Sequence, residues 1–162
     1  MCNRRDSLNT LAPEKVVELS RLPAEKLESG RIIAAVNPGM ESEATVRYAA
    51  EIARHYGASL YIVHVFWPSM RSGSSSCHLI DQEQRESWKK LEELAAQVRN
   101  IAPRCRSAAL AGEPAERIFA LARDIHADLI VASGYYLIFL RSSICRAPCA
   151  ILVYDEGNLA AA

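Results

Sequence analysis

The sequence predicts an α/β fold, a five-stranded parallel sheet with helices on both faces. Three observations carry this. Short apolar runs, IIAAV at 32–36, LYIVHVF at 60–66, DLIVAS at 128–133 and CAILVY at 149–154, read as strands buried on both sides. Between them lie stretches with apolar residues at helical spacing. Strand and helix alternate strictly, and parallel neighbours need helical crossovers of this kind, right-handed because strands twist to the right.

In chain order, residues 1–30 read as an extension outside the core. Pro13 and Pro23 bracket EKVVELSRL, a stretch short enough that it becomes a stable helix only by docking on something. Gly30 marks the entry to the domain, expected over 31–156. After the first strand, Val46, Ala49, Ala50, Ala53 and Tyr56 form one helical stripe over 42–56, with Ser42 as its N-cap and Gly57 as its C-cap. The second strand is rich in β-branched and aromatic residues and stops before Pro68. A Ser-rich loop, 69–78, leads into a long helix over 80–101. Its stripe is Trp88, Leu91, Leu94, Ala95, Val98 and Ile101, and its charged opposite face reads as solvated. Pro103 ends that helix, and 105–110 is a weaker third strand. Gly112-Glu113-Pro114 turns the chain into a helix whose core face is Ile118, Leu121, Ala122 and Ile125. The fourth strand, a short helix over 137–146 and the fifth strand complete the domain, and 157–162 is a tail.

Composition narrows the function. The chain has 162 residues, half of them hydrophobic, enough for the core of one ordinary domain. Lys plus Arg equals Asp plus Glu at 19 each, so the basic excess of a nucleic-acid binder is missing. No apolar run reaches the ~18 residues of a membrane span, and MCNRRDSL is followed by no apolar secretory core. A cytoplasmic protein is expected. Its five cysteines, Cys2, Cys77, Cys105, Cys145 and Cys149, make no Cys-x-x-Cys pair and are expected to be free, apolar thiols. A metal site from Cys145, Cys149 and His78 is not expected.

In an open sheet of this type the ligand crevice lies beyond the carboxyl ends of the strands, where strand order reverses. The loops concerned start at Asn37 and at Gly134. None of the seven glycines forms a Gly-x-Gly or Gly-x-x-Gly pair, so a P-loop and a dinucleotide fingerprint are both excluded. Between Gly134 and Pro148 a helix consumes most of the chain, leaving too little to wrap a triphosphate. Of Tyr135 and Tyr136, placed where they could stack on a planar ligand, the expected role is to fill the crevice or pack in an interface.

RIIAAVN, ATVRYAAEIARHYGASLYIVHV, GEPAERIFALARDIHADLIVASG and RAPCAILV, in that order over about 31–154, resemble the universal stress protein family. The resemblance implies a flavodoxin-like, adenine-nucleotide-α-hydrolase-like fold and a homodimer formed through the last strand, here with Cys149, Ile151 and Val153 at the interface. One branch of that family binds ATP, with an Asp after the first strand and a Gly-2x-Gly-9x-Gly-Ser/Thr loop after the fourth. Here the Asp position is Asn37, followed by Pro38, and only Gly134 of the glycine loop remains. The final Gly-Ser falls on Leu137 and Ile138 when aligned back from Pro148. The family's adenine-contacting position falls on Val65.

Other candidates for chemistry are few. His64, in a buried strand near the crevice mouth, is expected to be a satisfied core histidine, and His126 to cap the end of its helix or to be solvated. Asp128 belongs at the end of the sheet opposite the crevice. The serines at 72–76 lack a nucleophile elbow. Arg141 and Arg146 read as surface arginines that would meet a phosphate only if the last helix faced the crevice.

Two functions stand open. The first is a non-enzymatic regulatory or interaction protein, a homodimer that has lost the ATP phosphate loop and binds a protein partner, with no cofactor, no nucleic acid and no membrane. The second is a small-ligand or nucleotide sensor, for ATP or AMP, using Asn37, Val65, Gly134, Tyr135 and Arg141.

Overall fold

The computed structural model describes residues 30–38, 42–67 and 76–154. The extension up to residue 29, the Ser-rich stretch 69–75 and the tail 157–162 lie outside the described residues, as do the side chains of Cys2, Cys77 and His78. The elements follow the alternation read from the sequence. They are β1 (Arg31–Ala35), α1 (Ser42–Tyr56), β2 (Ser59–Phe66), α2 (Ser76–Val98), β3 (Cys105–Ala111), α3 (Pro114–Asp124), β4 (Leu129–Ser133), α4 (Gly134–Leu140) and β5 (Ala150–Tyr154). A 3-10 turn at Ile144–Arg146 links α4 to β5.

The five strands form one parallel sheet in the order β3-β2-β1-β4-β5. The order reverses between β1 and β4, the two strands whose following segments were expected to flank a crevice. Successive side chains of a strand alternate between faces, and the core divides accordingly. Ile32, Ala34, Leu60, Ile62, Leu129 and Val131 pack under α1 and α2. Ile33, Ala35, Val63, Val65, Ile130 and Ala132 pack under α3 and α4. Strands buried on both faces show no apolar–polar alternation, hence the continuous apolar runs.

Helix ends obey local rules. Gly57 takes φ +63, and the N–H groups of Gly57 and Ala58 return to the carbonyls of Arg54 and Ala53, closing α1 with a left-handed cap. His126 closes α3 in the same way at φ 51, with Ala127 N–H on the Ala122 carbonyl. Pro114 opens α3, and the Glu113 carboxylate accepts the Glu116 N–H at 2.7 Å as its N-cap. Asp128 sits at the far end of the sheet, as expected, where its carboxylate accepts the Arg31 N–H at 3.0 Å.

Two helices differ from expectation. The helix α2 runs earlier than 80–101, ending at Val98. The N–H groups of both Ile101 and Ala102 fold back onto the Val98 carbonyl, because a residue before proline resists helical geometry. Trp88 does not join the buried stripe: it is 52% exposed, and the described packing gives no reason for it. The last helix is not 137–146 but α4, starting at Gly134 directly after β4. Tyr136 and Leu140, one turn apart, anchor its inner face. The helix then tightens after Leu140, where the Ser143 N–H bonds the Leu140 carbonyl three residues back.

Candidate functional site

Neighbouring strands of unequal length leave a notch. In register, Arg31–Ala35 of β1 match Ser59–Val63 of β2, so β2 continues past its neighbour. The last ladder bond is Val36 N–H to the Val63 carbonyl, 2.9 Å. Above it, the Val36 carbonyl, which a continuing parallel ladder would offer to the Val65 N–H, is taken by His64 instead. β4 ends at Ser133 on the other side, so the notch is the crevice at the reversal of strand order.

Tyr136 fills it. The helix starts with no connecting residue, so its first turn stands over the end of β1 and carries the Tyr136 ring across to β2. The ring is 0% exposed. Its hydroxyl oxygen accepts the Val65 N–H at 2.7 Å, in place of the Val36 carbonyl. The hydroxyl proton points to the Val65 carbonyl at 3.4 Å. Burial drives the phenol pKa far up, only partly offset by the bond with Val65. The hydroxyl is therefore neutral and works as a hydrogen-bonding peg.

His64 completes the closure. Its Nδ1 lies 3.1 Å from the Val36 carbonyl oxygen and 3.0 Å from the Tyr136 hydroxyl. A carbonyl only accepts, so Nδ1 carries the proton and shares it between the two. Burial lowers the His64 pKa, the Val36 bond opposes this, and Lys90 lowers it further. A neutral imidazole tied to the backbone is the satisfied core histidine that the sequence implies.

The sequence-predicted ligand residues divide in two groups. Asn37, Val65, Gly134 and Tyr135 come together at this end of the sheet, Asn37, Gly134 and Tyr135 being half-buried. Tyr135 packs edge-on against Tyr136 with ring centroids 5.4 Å apart and tilts against Phe139 at 5.3 Å. Arg141 is exposed at the far end of α4, about 10 Å along the helix axis from Gly134. The Ser133 hydroxyl is buried and makes no hydrogen bond among the described residues. Sequence reasoning paired Tyr135 with Tyr136 and did not single out Tyr136. Tyr136 is the residue that reaches Val65, and its i, i+4 spacing to Leu140 was the available signal.

Another groove, of about 890 Å³, lies elsewhere, on the α1–α2 face, with Tyr48, Glu51, Lys90, Glu93 and Tyr154 in its walls. Tyr48 and Tyr154 stack there at 4.7 Å. β5 is an edge strand, paired only with β4, and Cys149, Ile151 and Val153 along it are half-buried. Burial pushes the Cys105 and Cys149 thiols up to about 11, so both are protonated at neutral pH. Among the described residues no cluster of His, Cys, Asp or Glu suits a metal ion, and no helix is long and apolar enough to cross a membrane.

The sequence model of the universal stress protein family matches residues 28–133. The chain belongs to the universal stress protein family. The match ends at Ser133, the residue before α4. No curated protein matches the chain by sequence. Solved structures of the family share its fold. Universal stress protein UspA from Lactobacillus plantarum superposes with a TM-score of 0.67 at 20% identity, over 78% of this chain and 97% of its own. The universal stress protein of Archaeoglobus fulgidus in complex with dAMP gives 0.61 at 22% identity, over 80% and 100%. A family member from Arabidopsis thaliana with AMP bound gives 0.58 at 15% identity, over 80% and 94%.

Proposed function

We propose that the protein is a non-enzymatic regulatory member of the universal stress protein family, a cytoplasmic homodimer paired through β5, in which the nucleotide crevice is closed by its own Tyr136. One observation carries this reading. The Tyr136 hydroxyl occupies the Val65 main chain, the place where the family resemblance puts an adenine contact. Two features support it. The strand-to-helix junction at Ser133-Gly134 has no residues to cradle phosphates, and Asn37 replaces the family's carboxylate. The described site holds no general base free to act, since His64 is committed to Val36 and Tyr136. The open edge of β5, with half-buried apolar residues along it, supports the dimer.

The test is thermal unfolding with ATP, AMP and cAMP. Family neighbours crystallised with adenine nucleotides make these the right probes. A ligand at 100-fold its Kd stabilises a fold by about 2.7 kcal/mol. The expected result is no shift with any of the three. A clear shift would instead favour a nucleotide sensor using Asn37, Val65, Gly134, Tyr135 and Arg141. Light scattering is expected to give twice the monomer mass.

A further inference from the structure

A second groove, of about 510 Å³, lies along α3 and the turn at Ile144–Arg146, and three arginines, Arg117, Arg123 and Arg146, line it. We propose that this groove docks an acidic, partly apolar peptide segment of a partner protein. The inference builds on the reading of the chain as an interaction protein and names the surface it would use.

The first argument is charge. Among the described residues the ion pairs are Arg54–Glu51 and Arg99–Glu92, both on α1 and α2. Among the described residues none of the three groove arginines is paired with a carboxylate. Glu113 lines the same groove, but its carboxylate is engaged in capping α3. The chain as a whole carries zero formal net charge, so the groove's three arginines against two glutamates, Glu113 and Glu116, are a local positive excess of one and not part of a general basic character.

The second argument is order. Arginine side chains normally lose much rotamer freedom on binding. Two of these are already held, by neutral acceptors that leave their charge uncompensated. Arg117 Nε–H donates to the Ala111 carbonyl at 2.8 Å, and an Arg146 terminal N–H donates to the Ser143 hydroxyl at 3.0 Å. Gly112 makes the first arrangement possible. It sits at φ +136, and a Cβ there would stand 2.7 Å from Arg117 Nε. The guanidinium thus lies across the bare backbone of the β3–α3 turn with its terminal nitrogens free for a carboxylate.

The third argument is shape. Arg117 and Arg123 are six residues apart on α3, about 9 Å along the axis. Phe119 and Ala120 line the groove between them, and the exposed Glu116 lines it beside Arg117. Spaced positive charges over an apolar floor fit carboxylates separated along a chain. One compact phosphate could not meet both arginines at once.

Fluorescence anisotropy of the full-length protein tests this, using a short fluorescein-labelled peptide that alternates Glu with Leu, beside its Lys–Leu counterpart. The acidic peptide is expected to bind, more weakly as salt rises. Arg123→Glu, which disturbs no described hydrogen bond, and Arg117→Glu are each expected to weaken it by about tenfold or more. Arg85→Glu on α2 is expected to leave it unchanged. Circular dichroism checks that each variant is folded. No binding at millimolar protein, equal binding of the basic peptide, unchanged affinity in Arg123→Glu, or displacement by inorganic phosphate at low concentration would each overturn the proposal. The dimer mass and the nucleotide test are read on the same samples. Failure of the peptide alone sinks the groove, whereas a nucleotide shift sinks the reading beneath it.

Discussion

The hydroxyl of Tyr136 stands 2.7 Å from the main-chain nitrogen of Val65 and takes the place of the Val36 carbonyl, which His64 occupies. Removing only that oxygen leaves a buried N–H without a partner. Tyr136→Phe is expected to lower stability by about 1–3 kcal/mol in urea unfolding. The loss should appear as a lower midpoint at constant slope. An unchanged midpoint would mean that water replaces the hydroxyl.

His64 predicts a pH dependence. Its folded pKa lies below the ordinary value because burial penalises the imidazolium. As pH falls, the unfolded chain takes up the proton first. The stability tied to neutral His64 is therefore complete above about pH 6.5 and is lost as pH drops toward the folded pKa. Melting temperatures between pH 7.5 and 5.5 should decline, and His64→Gln should flatten that decline while lowering the starting value.

Two glycines at positive φ should differ in cost. At Gly57 (φ +63) a Cβ meets only the Arg104 side chain, at 3.8 Å, so Gly57→Ala costs the backbone strain alone, about 1 kcal/mol. At Gly112 (φ +136) the Cβ also collides with Arg117, and Gly112→Ala should cost about 2–3 kcal/mol. Adding Arg117→Ala should recover part of that loss, a coupling that a double-mutant cycle would read directly.

The edge of β5 offers a test of assembly. Val153 pairs with Ala132 inside the sheet and is half-buried on a strand whose outer side has no neighbour among the described residues. Val153→Lys places a charge where a second β5 would approach. Light scattering should show a shift from dimer to monomer with melting little changed. A dimer that survives would place the contact elsewhere.

Much of this structure was legible in the residues. IIAAV and DLIVAS announced buried parallel strands because a strand covered on both faces has no polar side to display. Gly57 and Pro114 marked helix ends through backbone constraints that act locally. The notch was less visible. It arises from a length mismatch between β1 and β2, and mismatch is a property of register, which no single segment states. Tyr136 was seen as an aromatic near the crevice, but its bond to Val65 spans 71 residues of chain. The short helix misled because 137–146 carries apolar residues at helical spacing, whereas the chain tightens after Leu140, with the Ser143 N–H on the Leu140 carbonyl, and passes into the 3-10 turn at Ile144–Arg146.

Because α4 begins one residue after β4, it has no slack with which to swing aside. Widening the mouth of the sheet must fray the first turn of α4 and expose the Val65 amide at the same instant. Admission of a guest and partial unfolding are therefore one event. Hydrogen exchange at the Val65 amide would report how often it happens.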